Sequence, residues 1–189
     1  MNYNEYRKII KNTPDTEGLE YGLAVVMLQP DRLPLRVVSS NYCTNKIIRV
    51  PSRTVNSYSK KVPVIRIGAN AFKDNKTVTD IILGSDICSI GAGAFAGCTA
   101  LERITIPKGV KRISEGTFAG CTALTDVYYE GTLDEWKAID IVSEKRELDL
   151  GSLAAGSPVQ QVTEERLTRI SGNEVLYRAA IHCRCYISK

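Results

Sequence analysis

Three consecutive stretches of this chain repeat one pattern at a constant step of 23 residues: IGANAFKDNKTVTDIIL from Ile67, IGAGAFAGCTALERITI from Ile90 and ISEGTFAGCTALTDVYY from Ile113. Phe72, Phe95 and Phe118 fall in register, as do Val78, Leu101 and Leu124, then Ile81, Ile104 and Val127, then Leu83, Ile106 and Tyr129. Val64, Ile87 and Val110 repeat between them. A unit of this length cannot cover its own apolar edge, so each needs a neighbour to bury it. That requirement predicts a solenoid.

Within one unit the segment ERITI alternates, with Ile104 and Ile106 on one face and Arg103 and Thr105 on the other, which is the period of a strand. Equivalent strands are expected to pair in parallel about 4.8 Å apart. Val110 to Ile113 reads as a second, shorter extended segment on another side of the coil. AFAGCTAL reads as a helical turn or short helix that closes it. The expected class is therefore α/β, β-rich: a short solenoid of 23-residue repeats with parallel stacked strands. Upstream, Ile48, Val50 and Pro51 match Ile104, Ile106 and Pro107, but Ile48 to Ile81 spans 33 residues. The excess falls in SRTVNSYSKK, which is polar and reads as a protruding loop. Downstream the pattern stops after Tyr129.

The repeat as it stands from Ile106 to Leu124, IPKGVKRISEGTFAGCTAL, resembles the BspA-like leucine-rich repeat family, directly over residues 45–138. VYYEGTLDEWKAI, from Val127 to Ile139, is similar to the closing element of such proteins, and RISGNEVLYRAAIH, from Arg169 to His182, to the segment that usually follows it. Here the two are separated by an insertion over about residues 142–168. The resemblance implies a curved leucine-rich-repeat solenoid that binds macromolecules, commonly on the surface of host-associated bacteria or protists, with no enzyme activity. It transfers no functional residues, because the shared positions are structural.

The chain divides accordingly into an N-terminal cap (1–44), a solenoid (45–130) and a C-terminal cap with the insertion (131–189). In the first cap, Tyr6, Ile9 and Ile10 suit one side of a short helix. Leu19, Tyr21 and Leu23 alternate before QPDRLP, with Leu35 and Val37 after it, as in a β-hairpin. In the last cap, Thr132 to Glu135 is a T-x-x-E capping box, which leaves Trp136 to plug the final coil. Ser157, Pro158, Val159 and Gln160 offer a second helix start, and VLYRAAIHCRCYI is apolar enough for a strand.

Composition narrows the function classes. With 43% hydrophobic and 24% charged residues among 189, the chain is neither disordered, collagen-like nor a disulfide-packed miniprotein. A net charge of +4 falls short of a dedicated nucleic-acid binder. The longest apolar run, Leu23 to Leu28, is too short to span a bilayer. The first 20 residues carry no secretory signal as written. Localisation is therefore cytoplasmic if the chain is complete, and cell-surface or secreted, by resemblance, if a signal was removed.

Motifs with chemical overtones each have a structural reading. Gly91, Gly93 and Ala96 spell G-x-G-x-x-A, a dinucleotide fingerprint, yet the same slots read GANAFK and SEGTFA in the flanking coils, so no cofactor is expected. Cys98 and Cys121 share a slot with Asn75 and read as an inward ladder, with a disulfide between them poorly aimed. That slot also makes the N-K-T sequon at Asn75 accidental. His182, the only histidine, forms H-C-x-C with Cys183 and Cys185, but alternation sends the cysteines to one face and the histidine to the other, short of a zinc site. Asp134 and Glu135 belong to the capping box, and Asp140, Glu144, Glu147 and Asp149 to a solvated mixed-charge stretch. No nucleophile elbow, H-E-x-x-H or phosphate loop is present, so neither a catalytic nor a metal site is expected.

The outward strand positions form two columns. Asp80, Arg103 and Asp126 alternate in charge, which predicts Arg103 held between two carboxylates. Arg49, Ile82, Thr105 and Tyr128 place apolar and aromatic atoms outward, in residue types enriched at binding hot spots. The expected contact surface is thus Arg49, Ile82, Arg103, Thr105 and Tyr128, for a protein partner or, less favoured, a glycan. The competing class is a structural unit that oligomerises through its ends or insertion. An enzymatic reading would rest on His182 with Cys183 or Cys185.

Overall fold

The computed structural model of the protein describes residues 8, 12–24, 34–40, 43–142 and 172–183. In chain order the strands are β1 (Glu20–Leu23), β2 (Leu35–Ser39), β3 (Ile47–Arg49), β4 (Arg53–Val55), β5 (Lys61–Ile67), β6 (Asp80–Ile82), β7 (Ser89–Ile90), β8 (Arg103–Ile106), β9 (Arg112–Ile113), β10 (Asp126–Tyr129), β11 (Asp140–Ile141) and β12 (Ala180–Cys183). Two short helices, α1 (Leu133–Lys137) and α2 (Val175–Arg178), lie towards the C-terminal end.

Each coil contributes one strand to each of two sheets. The five-stranded sheet runs β12-β10-β8-β6-β3 and every pair is parallel. The longer sheet runs β1-β2-β5-β7-β9-β11, parallel except for β1 on β2, with β4 antiparallel on β5. The register is the 23-residue step itself: Asp80, Arg103 and Asp126 are aligned, as are Ile81, Ile104 and Val127. Ile81, Ile104, Val127, Ile67, Ile90 and Ile113 are all buried, so both sheets turn their apolar faces to one core.

The third side of each coil is a run of tight turns, closed by bonds such as Asn75 N to Phe72 O and Cys98 N to Phe95 O. It also bonds between coils: Phe72 N donates to Ala94 O and Phe95 N to Thr117 O, at 2.8 and 2.9 Å. The phenylalanines hang inward from these turns, fully buried, with ring centroids 5.3 Å apart for Phe72–Phe95 and 5.4 Å for Phe95–Phe118. Two turn positions per coil are left-handed, occupied by Asn70, Gly93 and Gly116 and by Asp74, Gly97 and Gly120. Only glycine, or asparagine and aspartate, takes that conformation cheaply. Gly93 of the dinucleotide-like motif is thereby explained by the turn, and Gly91 by close approach of the preceding coil, since a Cβ there would meet Ala69 N at 2.6 Å.

Several expectations are corrected. SRTVNSYSKK is a β-hairpin, not a loop: β4 and β5 pair across a turn in which Asn56 N donates to Lys60 O. Alternating Arg53, Thr54 and Val55 can pair as a strand despite their polarity. VLYRAAIHC is divided, helical over Val175–Arg178 and extended only from Ala180. Asn75 is half-buried, because its Oδ1 accepts from Thr77 N and Val78 N at the turn. As expected, Cys98 and Cys121 are inward and free, each Sγ donating to a carbonyl of the preceding coil, Phe72 O and Phe95 O. Residues 8 and 12 are helical, whereas Tyr6, Ile9 and Ile10 of the expected N-terminal helix, the Ser157–Gln160 start, Cys185 and nearly all of the insertion lie outside the described residues.

Contacts at both ends of the stack follow from the need to cover terminal coils. Thr16 N donates to Arg49 O at 2.9 Å, and Arg49 N to Thr16 Oγ1 at 2.7 Å. At the other end the capping box forms as expected, and Trp136 meets Tyr129 edge-on at 5.4 Å.

Candidate binding surface

The outward face of the five-stranded sheet carries the expected contact residues, and the register places them side by side: Arg49, Ile82, Thr105, Tyr128 and then His182. They are not open. Ile82, Thr105 and Tyr128 are 2%, 1% and 0% exposed, which corrects the expectation of a solvent-facing column. Alternation assigns residues to opposite faces of a sheet; it does not say that the second face meets water. A column containing isoleucine and tyrosine gains by being covered. The His182 ring stacks on Tyr128 with centroids 4.6 Å apart and planes 14° from parallel.

The charged column differs from expectation too. Arg103 forks onto Asp80, with Nη2 to Oδ2 at 2.9 Å, and its Nη1 reaches Glu102. Asp126 turns away from Arg103 to His182, Oδ1 to Nε2 at 2.7 Å, and accepts from Thr125 Oγ1. Arg49 is held by Asp15 at 3.3 Å and donates to Thr13 O. Among the described residues, both arginines of this sheet, Arg49 and Arg103, are therefore held by the chain's own groups.

Burial pushes the Asp126 carboxyl upward, but its hydrogen bonds with Thr125 and His182 and its electrostatic interaction with His182 outweigh it, holding the group below the usual carboxylate range. A depressed carboxyl contributes stability above its unfolded value and loses it as pH falls through the folded one. Asp126→Asn is accordingly expected to lower the urea midpoint near pH 6 by an amount worth about 1 kcal/mol. That gap should narrow below about pH 4. A gap unchanged down to pH 2 would show that the charge of Asp126 contributes nothing.

His182 and Cys183 do fall on opposite faces, the cysteine buried against the core. Burial also pushes the Cys98 and Cys121 thiols up to about 12, far from the reactive thiolate that nucleophilic or metal chemistry needs. Among the described residues no three His, Cys, Asp or Glu side chains are grouped to hold a metal ion.

The longer sheet is the face that stays open. Its outward column reads Gly22, Arg36, Arg66, Ser89, Arg112 and Asp140 along the register. Arg36, Arg66, Arg112 and Asp140 are exposed. Sequence reasoning missed this column, although Arg66, Ser89 and Arg112 stand at the same 23-residue step as the core. Arg36 was hidden by the irregular 30-residue spacing to Arg66.

A family model and one solved structure agree with this architecture. A family model described as the BspA type leucine-rich repeat region matches residues 52–139 in six copies. No curated protein matches the chain. Among solved structures, a leucine-rich repeat protein from T. pallidum aligns with TM-score 0.51 and 24% identity, over 64% of this chain and 56% of that one. A leucine-rich repeat protein from Bacteroides ovatus aligns with TM-score 0.48 and 25% identity, over 67% of this chain and 33% of that one. This chain thus spans about half the length of the first and a third of the second.

Proposed function

Because residues 52–139 of this chain belong to the BspA-type leucine-rich repeat family, we propose that it works as a non-enzymatic protein-binding module presenting the outward face of its longer sheet. Leucine-rich repeats are in general protein-interaction modules, and members of the family are typically not enzymes. The observation that carries the reading is the exposed column from Arg36 to Asp140, set on strands whose other face is locked into the core. A surface held rigidly before binding loses little conformational freedom when a partner arrives. Adhesion is one setting for such a module. The assembly alternative has less support, since contacts from Thr16 and from the residues around Asn173 cover the terminal coils.

The experiment is affinity capture on the immobilised chain, followed by reconstitution with each identified protein and amide-exchange mapping of the complex. Saturable one-to-one binding that protects β2, β5, β7 and β9 is expected. If no captured protein binds on reconstitution, the module reading fails.

A further inference from the structure

The groove of about 510 Å³ on the longer sheet is lined by Arg36, Arg66, Lys111 and Arg112 and, among the described residues, by no acidic one. Four cations in one groove are a strong local concentration in a chain with 25 basic and 21 acidic residues. Arg36 and Arg66 sit directly opposite each other on paired strands, about 4.8 Å apart. Like charges in that arrangement repel. Among the described residues neither has an ion-pair partner. The five-stranded sheet is the contrast within the same molecule, since its arginines are all neutralised by the chain's own carboxylates.

We infer that this groove is a docking site for an acidic polypeptide segment, whose carboxylates seat on Arg36 and Arg66. The inference rests on the protein-binding reading above and names the partner's chemistry. The column itself shows how a carboxylate fits: Asp140 occupies the next register position after Arg112 and pairs with it at 3.2 Å. A partner's aspartate or glutamate would repeat that pairing two strands further along, where the guanidinium fork suits a carboxylate. Gly68 and Gly91 form part of the groove wall without side chains, and Gly22, paired with Arg36 at the column's end, adds none. Ser89 and Ser114 add hydroxyls to the lining. Among the described residues no aromatic ring lines the groove, so they offer no stacking platform of the kind that single-stranded nucleic acids use. Its size is that of a pocket for a few side chains.

The test uses the full chain and a fluorescein-labelled ten-residue peptide of alternating Glu and Gly, with its Gln counterpart as control. Binding of the Glu peptide that weakens as salt is raised, with the Gln peptide at least tenfold weaker, is expected. The double variant Arg36→Ala, Arg66→Ala should lose at least tenfold in affinity, while Lys73→Ala, Lys76→Ala, two exposed lysines outside the groove, should lose less than twofold. Equal affinities for both double variants would overturn the groove assignment. So would tighter binding of single-stranded DNA or a sulfated polysaccharide through the same arginines, since the partner class would then be wrong. A reconstituted protein partner insensitive to the arginine variants would sink this inference and leave the binding-module reading intact.

Discussion

Phe95→Ala is expected to destabilise the protein by about 3–5 kcal/mol, the range for removing a fully buried phenylalanine. The ring lies between Phe72 and Phe118, with centroids 5.3 and 5.4 Å away, and none of the three is exposed. In a solenoid each coil touches only its neighbours, so a mid-stack cavity weakens two interfaces at once. The void is also hard to close. The turns that carry the flanking rings are tied by Phe95 N to Thr117 O and Phe72 N to Ala94 O, so the rings cannot slide inward without breaking those bonds. For a chain of this size the loss corresponds to a fall in melting temperature on the order of 10 °C. Phe95→Leu, which keeps most of the volume, should cost less than about 1.5 kcal/mol. Urea midpoints for the two variants decide the matter: equal losses would mean that the ring is not packed as described.

That ladder was legible in the sequence because three phenylalanines at a fixed step leave one way to bury them. The strand faces, the parallel register and the inward cysteines followed from the same periodicity, and the terminal capping box from its own T-x-x-E motif. What the period cannot carry is whether the second face of a sheet stays open to solvent; the His182 ring, outside the repeat, stacks on Tyr128. Ile82, Thr105 and Tyr128 were assigned correctly to the face opposite Ile81, Ile104 and Val127, yet they are buried. Conversely, Arg66, Ser89 and Arg112 were in plain periodic sight but drew no notice, since the extended segment they occupy is only two residues long in two of the three coils. The hairpin over Arg53 to Ile67 was missed for a third reason. Its strand pairing supplies the stability that its polar composition does not advertise.

Asn173 marks the other limit of periodic reasoning, and its replacement should be costly. Each coil's phenylalanine amide donates to the next coil, as Phe72 N does to Ala94 O and Phe95 N to Thr117 O. Phe118 is the last of the three, and Asn173 Oδ1 accepts its amide at 3.2 Å. The same side chain donates through Nδ2 to Ser114 O at 2.9 Å and Val142 O at 3.1 Å, and it is fully buried. One amide group thereby stands in for the missing coil. Asn173→Ala strands a buried N–H and removes a partner from two carbonyls, for an expected loss of about 2–4 kcal/mol. Asn173→Asp keeps the acceptor but turns a carboxylate oxygen towards two carbonyl oxygens, so near pH 7 it should be at least as damaging. Those carbonyls favour the protonated acid and raise its folded pKa, so the aspartate variant should recover part of its stability as pH falls towards 4, while the alanine variant should not. Urea midpoints at the two pH values, with amide exchange at Phe118 as the local readout, test both halves. A mild Asn173→Asp with no pH dependence would show that the amide donor does not hold the last coil.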